Sequence, residues 1–287
     1  MTIDGIDYPM ADAEESNTFI TSIRIDHFEE VDDFDIPLAI AKHRHFVITD
    51  DSGARCTRLI RALLDSIRLL WDEVFPLSSE KQLPVPNAKL SVSYSKAVIS
   101  SPDVPLFYFS APRLSTRARG DPSDDTISNL LDSLEAFQNN PFGADKSGLY
   151  RECFPSLQAF LQKLMKAPYL SLKVGKTQYD ICIPDKDDLP IHQMSTGLVT
   201  VLNIYVEMAK RLAILNGCFN NELPAIAIID ALGSSISGSM QSMIFPLLVN
   251  SFPKVQFIFS TTKWYTIKSL QNAVMLDLSK KRLYTYI

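Results

Sequence analysis

Cysteine and glycine are scarce in this chain, with four cysteines and 10 glycines among 287 residues. The cysteines are scattered and form no CxxC pair, which argues against a zinc knuckle or a disulfide framework. We therefore expect no metal site. No run approaches the roughly 18 to 20 apolar residues of a membrane span, and the acidic N-terminus does not resemble a secretory signal. We expect a cytoplasmic protein with no membrane partner.

The chain also lacks an excess of basic charge, since its formal net charge is −5. This balance argues against a generally basic surface for nucleic acid. Hydrophobic residues make up 46% of the chain, which favours a globular core over disorder. Residues 1–17 differ, because they carry five acidic side chains and no apolar periodicity. We expect 1–17 to be a flexible leader.

The apolar pattern predicts an α/β fold. Alternation over 23–37 indicates two short strands at an outer edge, and 46–48 is a buried strand that leads through a polar turn into a helix with apolar positions from 60 to 74. A long amphipathic helix with apolar positions from Val199 to Leu215 ends at Asn216-Gly217. Two further buried strands are predicted at 225–229 and 255–259.

Four segments place polar residues where these predicted elements begin or end. They are the turn Thr49-Asp-Asp-Ser-Gly-Ala-Arg-Cys-Thr57, the strand end Asp230-Ala231, the strand end Ser260-Thr-Thr-Lys263, and Ser195-Thr196-Gly197 before the long helix. In this order and context they resemble the ATP-binding head of ABC-class, RecF/SMC-like ATPases, as found in phage-defence systems such as Septu and retron-associated ATPases. The resemblance covers nearly the whole chain from Phe19.

This resemblance implies a P-loop NTPase-type head with a mixed sheet flanked by helices. It also implies an N-terminal antiparallel edge and an inserted helical lobe. On this basis we expect residues 18–287 to form a single head, with the lobe at about 114–190.

The turn after the first buried strand departs from the family's phosphate-binding GxxxxGK[ST] loop. Thr49 and Ala54 replace its two glycines, Arg55 replaces its lysine, and Cys56 replaces its magnesium-binding hydroxyl; Gly53 and Thr57 complete the segment. The added Cβ atoms restrict the backbone, a guanidinium cannot simply take an ammonium's place, and a thiol is a poor magnesium ligand. An ordinary strand-to-helix turn is the alternative interpretation.

The two strand ends depart from the family in the same direction. Asp230 corresponds to the family's aspartate, which holds magnesium through water, and is retained. Ala231 replaces the glutamate that polarises the attacking water, and a methyl group can act neither as an acid nor as a base. Lys263 replaces the histidine that senses the terminal phosphate. The alternatives are a capping carboxylate at Asp230 and a solvated surface lysine at Lys263.

Ser195, Thr196 and Gly197 correspond to the family's LSxGE signature, in which Ser195 and Gly197 are retained. At a helix N-terminus a serine hydroxyl and free N–H groups can meet an anion supplied by another subunit. The alternative is a simple N-cap.

The family's loop glycines, lysine, magnesium-binding hydroxyl, glutamate and histidine have all changed together. We therefore predict a catalytically inactive pseudo-ATPase, with no catalytic residue and no required cofactor, that binds ATP weakly at most. It would be a structural or regulatory subunit of a protein complex, homo- or heterodimeric, with an active ATPase or a nuclease effector as partner. One alternative is the non-catalytic half of an asymmetric ATP site that donates its signature. Another is a DNA- or nuclease-recruiting module using Arg55, Arg58, Arg61 and Arg68, although a solvated helix face is the simpler and preferred interpretation of these arginines.

Overall fold

The structure of the protein is a computed structural model. It describes residues 2–3, 6–7, 19–38, 44–68, 74–76, 85, 88–95, 104–110, 152–174, 179–231, 236, 238–263 and 270–286. The chain divides into two compact units. The first is Met1–Ser110, Pro224–Ser234 and Lys254–Ile287, and the second is Ala111–Leu223 and Ser235–Pro253. Among the helices in the described part of the chain, none has the length and apolar character needed to cross a membrane.

Strands make up most of the first unit. They are β1 (Thr2–Ile3), β2 (Ile6–Asp7), β3 (Ile20–Phe28), β4 (Val31–Pro37), β5 (His45–Thr49), β6 (Val74–Pro76), β7 (Lys89–Tyr94), β8 (Leu106–Ser110), β12 (Ala225–Asp230), β13 (Val255–Thr261), β14 (Ala273–Asp277) and β15 (Arg282–Tyr286). Helix α1 (Ala54–Arg68) follows β5.

A seven-stranded mixed sheet has the order β15-β14-β5-β13-β12-β8-β6. Its strands pair in parallel except for the terminal hairpin of β14 and β15. Every residue of β5, β12 and β13 is buried, as their continuous apolar runs predict for parallel strands covered on both faces. Because these strands run in parallel, their carboxyl ends lie at one edge, where Thr49 pairs with Thr261.

The predicted antiparallel strands form a three-stranded sheet with the order β4-β3-β7. Its apolar face joins α1 and the seven-stranded sheet in one core, in which Ile23, Ile25, Leu59, Leu63 and Ile258 are all buried. Gln256 of β13 fastens β3 to this core: its Oε1 accepts a hydrogen bond from the Ile20 N–H (2.8 Å), and its Nε2 donates to the carbonyls of Ile20 (2.9 Å) and Arg44 (3.0 Å).

The second unit contains the remaining elements. They are α2 (Cys153–Leu164), β9 (Ser171–Val174), β10 (Tyr179–Cys182), β11 (Leu189–Pro190), a short 3-10 turn (Ile191–Gln193), α3 (Thr196–Asn216) and α4 (Gly238–Ser251). Tyr205 of α3 lies between Phe160 and Phe252, with ring centroids 4.5 and 5.1 Å away. Its hydroxyl hydrogen bonds to Ser156 at 2.6 Å. A buried aromatic cluster therefore joins the three helices.

Helix α3 differs from the amphipathic helix that the sequence predicts. Every residue from Gly197 to Val206 is buried, including Thr200 and Asn203. Thr200 satisfies its hydroxyl by donating to the Thr196 carbonyl at 2.9 Å. Leu215, predicted on the buried side, is 53% exposed because it lies in the last turn before the cap. Gly217 caps the helix with φ 76°, which confirms the predicted stop.

The prediction that Val74 belongs to the first helix is wrong. Val74 continues the three- and four-residue spacing of α1, but it begins β6 and pairs with Leu106 of β8. Pro76, two residues later, is incompatible with a helix interior, so pairing with the sheet prevails over periodicity here. Most of the expected leader lies outside the described residues, as do 114–151 and 175–178 of the expected lobe, so both remain predictions.

Candidate functional site

The turn between β5 and α1 has the strand, turn and helix order that the sequence predicts. Gly53 has a φ of 70°, in the left-handed region that favours glycine. A Cβ at this position would lie 2.9 Å from Cγ2 of Thr262. The Gly53 carbonyl accepts the first helical hydrogen bond from Thr57 N at 3.1 Å. The single glycine of the loop is therefore the residue that lets the chain turn into the helix.

Asp50 occupies the interior of this turn and is almost fully buried, whereas Asp51 is exposed. The Asp50 carboxylate accepts hydrogen bonds from Ser279 Oγ (2.8 Å), Ser52 Oγ (2.8 Å) and the Ser52 N–H (3.3 Å). Burial would raise the pKa of Asp50, but the hydrogen bonds from Ser279 and Ser52 and the charge of Arg55 outweigh burial and hold the pKa below its usual value. An ionised carboxylate of the loop itself therefore lies inside the loop.

Arg55, at the position of the family's lysine, is engaged by two carboxylates. Its Nε donates to Glu29 Oε2 at 2.8 Å, and its Nη1 donates to Asp50 Oδ1 at 3.4 Å. Arg58, one turn further along α1, donates from Nε to Glu29 Oε1 at 2.6 Å. Two of the four arginines in the predicted basic stripe are thus paired within the protein.

Cys56 and Thr57 have divergent environments. Cys56 is buried in the hydrophobic core. Burial, together with the charges of Asp50 and Asp230, raises the pKa of its thiol, which therefore stays protonated at neutral pH. Thr57 is half-buried, and its Oγ1 donates to Asp230 Oδ1 at 3.1 Å. The hydroxyl that meets the aspartate is therefore one residue later than the position the family uses for magnesium.

Asp230 ends β12 and is fully buried. It accepts a second hydrogen bond from Ser260 Oγ at 2.5 Å, and the same oxygen of Ser260 accepts from the Ala231 N–H at 2.7 Å. Ala231 itself has a φ of 56°, which is a strained conformation for a residue with a Cβ. The strand end is thus held by hydrogen bonds to Oδ1 of Asp230, and its glutamate position carries only a methyl group.

Lys263 follows β13 at the same edge of the sheet. Its backbone N–H donates to Thr261 Oγ1 at 3.1 Å, and its side chain is half-buried. The fold therefore brings together the predicted site residues of the first unit, from Thr49 to Thr57, at Asp230 and Ala231, and at Lys263. Within the described residues, no group of three or more His, Cys, Asp or Glu side chains is arranged to hold a metal ion.

The signature segment belongs to the second unit. Ser195 occupies the N-cap position of α3 with extended dihedrals (φ −61°, ψ 144°), yet its side chain makes no capping hydrogen bond. Its carbonyl accepts from the N–H groups of Leu198 (2.9 Å) and Val199 (3.0 Å). Ser195 and Thr196 are exposed and Gly197 is buried. Ser195 is an N-cap by position, but its hydroxyl is not used for capping.

No protein family model matches the sequence. Among solved structures, an SMC head bound to the C-terminal winged-helix domain of ScpA aligns over 90% of this chain and 94% of its own, with a TM-score of 0.50 and 12% identity. The chain has the fold of an SMC head. The predicted fold class is therefore confirmed.

Two curated proteins that are similar to this chain in sequence are retron probable ATPases. The retron Vc95 probable ATPase of Vibrio cholerae is 29% identical over 145 residues, which is 47% of this chain and 26% of the relative. The retron Ec83 probable ATPase of Escherichia coli is 32% identical over 97 residues, or 32% of this chain and 18% of the relative. The matched segments thus span about a quarter or less of these relatives.

Sequence reasoning missed Glu29 and Ser279 of the SMC-like head, although both bind residues of the loop. Glu29 is 26 residues from Arg55, and Ser279 is 229 residues from Asp50. Both residues lie in turns of antiparallel hairpins, where polar side chains are common. No local signal distinguishes them, because their role depends on which hairpin the fold places beside the loop.

Proposed function

We propose that this SMC-like head is a pseudo-ATPase that acts as a structural or regulatory subunit of a multiprotein complex. The observation that carries the proposal is that groups of the loop between β5 and α1 are already hydrogen-bonded within the protein. The Asp50 carboxylate accepts hydrogen bonds from the Ser52 N–H and from two hydroxyls. Arg55 donates hydrogen bonds to Glu29 and Asp50. In active P-loop proteins such N–H groups and the cation bind the nucleotide's phosphates.

Magnesium-ATP fits this arrangement poorly. The ionised carboxylate of Asp50 would repel the phosphates at close range. The neutral Cys56 thiol is buried in the core, away from any hard cation. These features support the prediction that no cofactor is required and that ATP binding is weak.

Besides the altered phosphate-binding loop, the site has no general base at the position of the family's glutamate. Ala231 has no group that could orient or deprotonate water, and its N–H is bonded to Ser260. Lys263 offers a point charge without the hydrogen-bond geometry of a histidine. Because phosphoryl transfer depends on the joint electrostatic action of these parts, their combined absence supports loss of turnover.

An assay of phosphate release tests this proposal directly. We expect the purified protein to release phosphate from magnesium-ATP no faster than its Arg55→Ala variant. The rate should also not exceed that of an active relative whose catalytic glutamate is changed to glutamine. Turnover that is clear in the natural sequence and lost in Arg55→Ala would contradict the proposal, because it would show that the loop still serves ATP.

The relatives support a place in phage defence. Both sequence relatives are retron probable ATPases, and the SMC head of similar fold is bound to a domain of another protein. The proposed partner is an active ATPase or a nuclease effector, in a homo- or heteromeric assembly. The pairing of Arg55 and Arg58 with Glu29 weakens the alternative of a DNA-recruiting arginine stripe.

Ser195 favours a second function, the non-catalytic half of an asymmetric ATP site. Its hydroxyl is exposed at the N-terminus of α3 and makes no capping bond, so it can donate to an anion that another subunit presents. In this function the head contributes Ser195 and Gly197 to a partner whose own loop is intact.

ATP turnover by the active ATPase of the proposed complex would test that function. We expect addition of the natural head to raise the partner's ATP turnover, Ser195→Arg to abolish the increase through bulk and charge, and Ser195→Ala to reduce it by about tenfold at most. A Lys186→Arg variant, altered on the exposed surface, is the control. Equal stimulation by the natural head and by Ser195→Arg would rule the function out.

A further inference from the structure

The last strand, β15, lies at one edge of the seven-stranded sheet. It pairs with β14 on one side, and in the part of the chain that the structure describes no strand pairs with its other side. Its residues Arg282 and Thr285 are exposed. Backbone N–H and C=O groups along such an edge can hydrogen bond to an added strand, so β15 offers a surface for another chain.

Two other sheet edges of the first unit contain residues that disfavour the addition of a strand. At the opposite edge of the same sheet, β6 contains Pro76, which has no N–H to donate. At an edge of the three-stranded sheet, β4 carries the exposed Asp32 and Asp33 and ends in Pro37. In contrast, β15 has no proline, no glycine and no charge after Arg282. Its remaining residues are leucine, threonine and two tyrosines, which suit a strand that is paired on both sides.

The sequence of β15 is complementary to itself in antiparallel orientation. Leu283 packs against the core, so residues 282, 284 and 286 lie on the other face of the strand. A two-fold axis at Tyr284 pairs all five residues of β15 with those of a second copy. Arg282 then lies opposite Tyr286, Leu283 opposite Thr285, and Tyr284 opposite its own copy.

The side chains that meet in this register attract one another. Each pairing of arginine with tyrosine allows a cation–π contact, and the two copies of Tyr284 form an aromatic cross-strand pair. Arg282 is the only charged residue of β15, and in this register it does not face its own copy. An axis at Arg282 would instead place two guanidinium groups opposite each other, which is unfavourable.

We propose that two copies of this head associate through β15, so that their seven-stranded sheets join into one continuous sheet. A contact of five residues per chain is small compared with a standard interface of about 1,600 Å², so the dissociation constant should be micromolar, about 1 to 100 µM. The contact involves no residue of the loop between β5 and α1 and needs no nucleotide. It therefore goes beyond the proposed pseudo-ATPase function and does not depend on it.

Sedimentation velocity of the full chain without nucleotide, from about 1 to 200 µM, tests the proposal. We expect the natural protein to form dimers as its concentration rises. Tyr284→Lys and Tyr284→Glu each place two like charges at the axis and remove the aromatic pair, so each should raise the dissociation constant about tenfold or more. Tyr169→Lys and Tyr169→Glu are the matched controls, because Tyr169 is 80% exposed in the second unit, and they should leave dimerisation unchanged.

Mixing the two Tyr284 variants distinguishes loss of the contact from loss of the fold. Lysine and glutamate then meet at the axis, so the mixture should form a heterodimer within about threefold of the natural affinity. A misfolded variant would not be rescued in this way. If neither mixture nor single variant differed from the natural protein, or if two variants folded by circular dichroism gave no rescue, the proposal would be wrong. A natural protein that stays monomeric would leave the edge to a strand of another protein and would also refute it.

Disulfide cross-linking tests the register of the two strands. Cys218 is the exposed cysteine of the described residues, so Cys218→Ser provides the background. In that background Tyr284→Cys should form a cross-linked dimer under oxidising conditions, because residues directly opposite in an antiparallel pair bring their Cβ atoms close together. Tyr169→Cys is the control and should stay monomeric. Equal cross-linking of the two variants, or cross-linking by Thr285→Cys instead, would exclude an axis at Tyr284.

Discussion

Replacing Gln256 by methionine is expected to lower the free energy of unfolding by roughly 3 to 5 kcal/mol. Methionine has a similar volume but no hydrogen-bonding amide. The change would leave the Ile20 N–H and the carbonyls of Ile20 and Arg44 without their partner in the core. Each buried polar group that loses its partner costs about 1 to 3 kcal/mol, which accounts for the size of the effect.

Urea unfolding followed by circular dichroism measures this loss. Gln193→Met is the matched control, because Gln193 is exposed and the same substitution there should change stability by no more than about 0.5 kcal/mol. If Gln256→Met cost less than about 1 kcal/mol, the attachment of β3 through this side chain would not be a main determinant of stability.

The second large effect is expected at Asp50. Changing it to asparagine should cost about 1.5 to 3 kcal/mol at neutral pH, because hydrogen bonds to an ionised group are stronger than those to a neutral amide. Asparagine cannot accept from Ser279, Ser52 and Arg55 with the same charge assistance. The loop between β5 and α1 would lose the anion around which it is built.

The effect of Asp50 should depend on pH in a defined direction. Its pKa in the folded protein lies below its usual value, so its contribution is fully present above the unfolded pKa of about 3.9 and is lost as pH falls through the folded pKa. The stability difference between the natural protein and Asp50→Asn should therefore shrink below about pH 4. Asp51→Asn, at the exposed neighbour, is the control and should show a much smaller difference throughout. A gap that stayed constant with pH would contradict this account.

The sequence predicts the fold well where burial follows a simple pattern. Continuous apolar runs identify β12 and β13. Gly217 marks the end of α3 because the residue that caps the helix adopts a left-handed backbone, which glycine does at little cost. Val74 is mispredicted because periodicity cannot detect a strand partner at Leu106, 32 residues away. The burial of Asn203 likewise depends on packing that the sequence of α3 does not display.

The sequence predicts where in the fold the candidate-site residues lie, but not which hydrogen-bond partners they have. Loop, strand end and lysine follow from motif order, and parallel strands bring them to one edge. Asp50 and Asp51 look equivalent in the sequence, yet one is buried with hydroxyl partners and the other is exposed. The difference arises from Ser279, which only the folded C-terminal hairpin places beside the loop.

The left-handed backbone at Ala231 bears on whether a glutamate at this position could reach a water molecule as the family's glutamate does. A glutamate introduced there would inherit the same φ, so its Cβ would leave the chain in another direction than from an extended residue. Redirecting it would require the peptide between 230 and 231 to flip, and that flip would break the hydrogen bond from the Ala231 N–H to Ser260. A glutamate that points as an extended residue would point would thus require a rebuilt strand end as well as the new side chain.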